Sequence, residues 1–95
     1  MTNNAENERL AEVGGRIRAT REARGLNLHE LARLSGISAS ALSLIETGQR
    51  DLRITSLYRI ANALRIGAGD LLDGLDEGTR KQETKRGGYD LGDYI

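Results

Sequence analysis

The sequence predicts an all-α fold, a compact five-helix bundle with a flexible C-terminal tail. Apolar residues recur three and four positions apart, the period of one helix face, and do not alternate as strand residues would until the extreme C-terminus. The runs are punctuated by Asn, Ser and Thr at their starts and by Gly at their ends, the residues that cap helices. The chain has 95 residues, enough for one domain, and it lacks Phe and Trp, so Leu, Ile and Ala must fill its core.

The first helix carries Leu10, Val13, Ile17 and Thr20 and ends near Arg24, with Gly25 as a left-handed stop. Gly14 and Gly15 lie inside this pattern, and each costs about 1 kcal/mol relative to Ala in a helix interior. An ordered start near Val13 or Gly15 is therefore expected, with any earlier turns supported only by packing. The second helix opens at Asn27, which has the spacing of a capping box with Glu30. It continues through Leu28, Leu31, Ala32 and Leu34 and halts at Ser35-Gly36. The third has Ser38 as N-cap and runs through Ala41, Leu42 and Ile45 before stopping at Thr47-Gly48. After a polar loop at 49–53, the fourth helix covers 55–64 with Leu57, Ile60, Ala61 and Leu64 as its buried stripe. A short fifth helix at 68–72 closes at Asp73-Gly74.

These elements divide the chain into a polar, acidic segment at 1–12, a helical domain at 13–75, and a charged connector with an apolar end at 76–95. Formal charge is zero overall but unevenly distributed. Residues 1–12 carry net −2, residues 13–72 carry nine Arg against five acids for net +4, and residues 73–95 carry net −2. A basic middle between acidic flanks suits phosphate binding, and Arg in particular can fork onto phosphate oxygens or base edges.

Composition also narrows the function classes. The absence of Cys excludes disulfides and cysteine-ligated zinc or iron–sulfur sites. The longest apolar run is far short of a bilayer span, and the polar start does not read as a signal peptide, so a soluble, cytoplasmic protein without membrane contact is expected. His29 stands alone and reads as a surface residue rather than a metal ligand. No Ser is coupled to a base and no acidic pair suggests catalysis, so neither enzyme activity nor a cofactor is expected.

The informative stretch is Leu31-Ala32-Arg33-Leu34-Ser35-Gly36-Ile37-Ser38, followed by Ala41-Leu42 and Ile45-Glu46. Two short helices meet at a turn whose Gly can take positive φ cheaply; Ala32 permits close approach, and Ile37 fills the turn from inside. These are the requirements of a helix-turn-helix, in which the first helix braces and the second is presented to the DNA major groove.

From Ile17 to Leu72 the chain resembles the Cro/phage-repressor (XRE, Cro/C1-type) helix-turn-helix family, whose domain is the five-helix, lambda repressor-like fold. The resemblance is carried by Ile17-Arg18-x-x-Arg21, Arg24-Gly25-Leu26-Asn27, Glu30-Leu31-Ala32, Gly36-Ile37-Ser38, Leu42-Ser43-x-Ile45-Glu46-x-Gly48 and Leu57-x-x-Ile60-Ala61-x-Ala63-Leu64. The run from Arg50 to Leu57 is also similar to restriction–modification controller proteins. The resemblance implies a regulator of transcription that binds double-stranded DNA sequence-specifically, a dimeric repressor or autoregulator reading a near-palindromic operator through helix 38–46.

It also implies roles for residues. Ala39, Ser40, Ser43 and Leu44 fall where the family reads bases, with Thr47 beside them. Arg21 and Glu46 match a structural pair linking the first helix to the end of the recognition helix. Arg16, Arg18, Arg50 and Arg53 are the phosphate candidates, joined by Ser38 and Gln49. The reading surface departs from the family in having no Arg, Gln or Asn among its base-facing positions, Leu28 stands where a phosphate-binding Gln is common, and Arg53 replaces a capping Ser or Thr.

Ile66, Leu71, Leu72 and Leu75, apolar around the last helix, are expected to form a homodimer surface. Tyr89, Leu91, Tyr94 and Ile95 admit three readings: a disordered tail, a clamp on the domain or across a dimer, or a motif that orders on a protein partner. The rival to a DNA-binding regulator is a protein-interaction module, such as an antitoxin or an adaptor, whose tail engages that partner.

Overall fold

A computed structural model describes residues 4–73. Five helices follow one another: α1 (Asn4–Ala23), α2 (Leu28–Ser35), α3 (Ala39–Glu46), α4 (Ile54–Leu64) and α5 (Ala68–Asp73). All five contribute to one core. Val13 and Ile17 come from α1, Leu31 from α2, Leu42 and Ile45 from α3, Leu57, Ile60, Ala61 and Leu64 from α4, and Leu71 from α5. Burying aliphatic side chains of this size stabilises by about 1.5–3 kcal/mol each, and among the described residues no aromatic joins them in the core.

The helices start and stop where the local chemistry directs. Asn27 caps α2 by accepting from the Glu30 N–H, while the Glu30 carboxylate accepts from the Asn27 N–H, both at 2.8 Å. The Ser38 hydroxyl caps α3 by accepting from the Ala41 N–H at 3.1 Å. Arg53 holds the N-cap position of α4 with no side-chain cap bond, leaving its guanidinium outside the helix's own hydrogen bonding.

Several expectations are corrected. Helix α1 begins at Asn4, well ahead of Val13, so residues 4–12 are a continuous extension of it. The early turns gain tertiary support: Leu10 is half-buried, and Ala11 lies against the turn at Gly48. Leu34 lies within α2 as the pattern has it and is 54% exposed, the buried side of the helix being carried by Leu31 and Ser35. Leu71 is unavailable to a dimer surface because it is wholly buried in its own core. Ile66 is half-buried against that core, whereas Leu72 is 42% exposed. Leu75 and the segment 76–95 lie outside the described residues.

The two adjacent glycines of α1 have opposite roles. A Cβ on Gly14 would collide with the carbonyl oxygen of Ile45 and come within 2.6 Å of that of Glu46, so α1 and α3 touch backbone to backbone there. A Cβ on Gly15 would meet nothing. Gly14→Ala is therefore expected to destabilise by about 1–3 kcal/mol, the typical cost of overpacking. Gly15→Ala should stabilise by about 0.5–1 kcal/mol through helix propensity. Thermal melting of the two variants checks the pair, and equal shifts of the same sign would refute the close approach.

Candidate nucleic-acid interface

The segment joining α2 to α3 is three residues long and each has a defined task. Gly36 adopts φ 75°, ψ 17° and donates its N–H to the Ala32 carbonyl at 2.9 Å, closing α2 in a left-handed conformation that a side chain would strain. The Ile37 N–H donates to the Ser35 hydroxyl at 3.2 Å, and the Ile37 side chain packs against the core. Ser38 then opens α3. The result is a helix-turn-helix whose second helix is seated by Leu42 and Ile45, both buried.

The orientation of α3 is fixed at its far end by an ion pair. Arg21 donates from Nε to Glu46 Oε2 at 2.8 Å and from Nη2 to Oε1 at 3.0 Å, a two-pronged contact that only a guanidinium can make. A third donor, Nη1, reaches the Leu26 carbonyl at 2.9 Å. The two side chains keep only 12% and 5% of their exposure. The hydrogen bond with Glu46 raises the Arg21 pKa above its ordinary value, against the opposing effect of burial. Among the described residues, no buried side-chain polar atom is left without a partner.

With one side of α3 held this way, the other faces solvent. Ser40, Ser43 and Thr47 are exposed, and Ala39 and Leu44 are half-buried. The Thr47 hydroxyl donates back into its own helix, to the carbonyls of Ser43 at 2.9 Å and Leu44 at 3.2 Å, which leaves its oxygen to accept. The Ser38 hydroxyl accepts from Ala41 and lies 3.4 Å from that of Ser40, so the two hydroxyls share one edge of the helix start.

Of the basic candidates, Arg50 and Arg53 come together beside α3. They line a cleft of about 460 Å³ with Ile37, Ala41, Ile45, Asp51 and Ser56, and both are exposed. Gln49 is exposed, and its N–H donates to the Leu44 carbonyl at 2.8 Å. Arg16 is half-buried on α1, while Arg18 is exposed and pairs with Glu22 one helical turn on at 3.2 Å. Such an exposed pair contributes little, about 0.3–0.5 kcal/mol, and yields readily to a competing anion.

Sequence reasoning missed two contributors to this geometry. Gly14 and Gly48 each admit backbone that a Cβ would exclude, and Gly48, at φ 76°, lets the turn after α3 approach within 2.8 Å of Ala11 Cα at its would-be Cβ. For Gly14 the signal was a glycine inside a helical pattern, which calls for a packing reason. Ile54 and Tyr58 on α4 are also exposed. Among the described residues, no group of three or more metal-ligating side chains comes together, and no helix is long and apolar enough to cross a membrane.

Known proteins share this arrangement. The sequence matches the family described as Helix-turn-helix over residues 17–71. It is 41% identical over 58 residues to the HTH-type transcriptional repressor RghR of Bacillus subtilis, a match covering 60% of this chain and 43% of RghR, so the chain spans less than half the length of that relative. Among solved structures, the restriction-modification controller protein C.AhdI of Aeromonas hydrophila superposes with a TM-score of 0.65 at 37% identity, covering 65% of this chain and 94% of C.AhdI. The clp gene regulator ClgR of Corynebacterium glutamicum gives a TM-score of 0.65 at 30% identity, covering 67% of this chain and 83% of ClgR.

The ion pair generates a direct expectation. Glu46→Ala leaves the Arg21 guanidinium buried without its counter-charge, which should destabilise by about 3 kcal/mol and lower Tm by more than about 10 °C. Unchanged melting would show that the pair does not hold α3 in place.

Proposed function

The chain belongs to the helix-turn-helix family of DNA-binding transcriptional regulators, and from that premise we propose that it is a dimeric repressor or autoregulator that reads a near-palindromic operator. Two copies place equivalent α3 helices in successive major grooves, about 34 Å apart. The supporting observation is the pairing of a firmly anchored α3 with an unobstructed outer face: Glu46 is held by Arg21 while Ser40, Ser43 and Thr47 stay exposed.

Base reading falls to Ser40 and Ser43 through single hydrogen bonds and to Ala39 and Leu44 through contact with thymine methyls, with Thr47 accepting at the end of the helix. None of these can make the bidentate contacts worth roughly 1–3 kcal/mol per base, so DNA shape carries a larger share of specificity. Arg50 and Arg53, flanking α3 in one cleft, are the foremost phosphate ligands, with Ser38, Gln49, Arg16 and Arg18 as further contacts. The dimer surface excludes Leu71 and is drawn instead from the exposed apolar side chains Ile54, Tyr58 and Leu72, with Ile66 at its margin. Occupying a promoter needs no cofactor.

Binding to the DNA upstream of its own gene, compared with scrambled DNA across a salt series, tests the reading. A regulator should prefer its site by about a thousandfold or more and lose affinity steeply with salt. A pure protein-interaction module should show neither. Within that assay, Arg53→Ala should weaken binding to all sequences alike and reduce the salt slope by about one, with Tm unchanged. Ser43→Ala should alter base preference without altering melting. A slope unaffected by Arg53→Ala would remove it from the phosphate contacts.

A further inference from the structure

Away from the outer face of α3 lies an apolar pocket of about 180 Å³ between the first half of α1, the loop after α3, the start of α4 and the end of α5. Leu10, Val13, Leu52, Ile54 and Leu72 supply its apolar lining, and Arg9 and Arg50 also line it. Ile54 and Leu72 are strongly exposed, at 65% and 42%. The cavity's size is of the order that accepts a benzene-sized ring, for which about 150 Å³ suffices.

We propose that this pocket is the docking site for the chain's own segment 89–95, seated in cis through a tyrosine ring. Three observations converge on that occupant. Two of the three Tyr residues of an aromatic-poor chain, Tyr89 and Tyr94, lie in this segment together with Leu91 and Ile95. Asp90 and Asp93 alternate with them, and carboxylates so placed complement Arg9 and Arg50 of the pocket lining. Finally, the chain leaves α5 at Asp73, next to Leu72 of the lining, and a coil the length of 74–88 spans about 20 Å. Tethering at that range gives an effective concentration near millimolar, at which a contact with a Kd of about 1 mM is half populated. Docking covers Ile54 and Leu72, so it competes with self-association; that consequence alone rests on the dimer proposed above.

The test uses the full chain without DNA. Tyr58, Tyr89 and Tyr94 are the chain's only tyrosines and it has no Phe or Trp, so nuclear Overhauser contacts from tyrosine rings to assigned leucine methyls are readily attributed. Contacts from Tyr89 or Tyr94 to Leu52 and Leu72 are expected, independent of protein concentration, and lost when the contacting ring is removed, in Tyr89→Ser or Tyr94→Ser, and in Leu72→Ser. Tyr94→Ser changes a residue outside the described bundle, so it keeps the test readable should Leu72→Ser melt the protein. Absence of the contacts in the unmodified chain overturns the proposal, as does their growth with concentration, which would put the segment on a second copy. A chain that shows the contacts but never self-associates refutes the dimer and leaves the docking in place.

Discussion

Glu46 is a carboxylate buried at the C-terminal end of a helix, where the helix dipole already presents partial negative charge. Burial and dipole both oppose it, and Arg21 offsets both. Arg21 sits in the last turn of α1, a position where positive charge is favoured, and its third donor satisfies the Leu26 carbonyl as the chain leaves that helix. One guanidinium therefore serves the ends of two helices and the loop between α1 and α2. Lys could keep the charge but not the three directions.

This pair is accompanied by backbone contact. Gly14 brings α1 against the last carbonyls of α3, and Gly48 brings the following turn against Ala11. The end of α3 is thus held both by hydrogen bonds of fixed direction and by van der Waals contact that a single methyl group would disrupt. Its beginning is held by the Ser38 cap and the Gly36 turn. A helix of eight residues has little stability of its own, so its rigidity comes from these ends and from Leu42 and Ile45 beneath it.

The local grammar of the fold was legible in the residues. Asn27 with Glu30, Ser38, Gly25, Gly36 and the stripe on α4 each act through neighbours within a turn, and such interactions leave a fixed spacing in the sequence. What was not legible depended on tertiary partners. The length of α1 is set by what Leu10 and Ala11 pack against. The burial of Leu71 and exposure of Leu72 depend on how a six-residue helix is rotated, and six residues are too few to show a period. The Arg21–Glu46 link spans 25 positions and was inferred from family resemblance, because spacing alone carries no record of it.

If the outer face of α3 reads DNA as proposed, its lack of charged side chains has an energetic consequence for the whole chain. Long-range attraction to a polyanion must come from residues around α3, and the arginines that flank it, Arg50 and Arg53, stand on a loop and at an uncapped helix start. There a guanidinium can follow a phosphate without disturbing the core. On the proposed reading, affinity and discrimination fall to different elements: the exposed arginines beside α3 would draw the duplex in, and the short hydroxyls of α3 would test its shape. Short side chains have little reach, so they discriminate only if the helix itself does not move. On that reading, the positioning supplied by Arg21, Gly14 and Gly48 would be a condition of specificity as well as of stability.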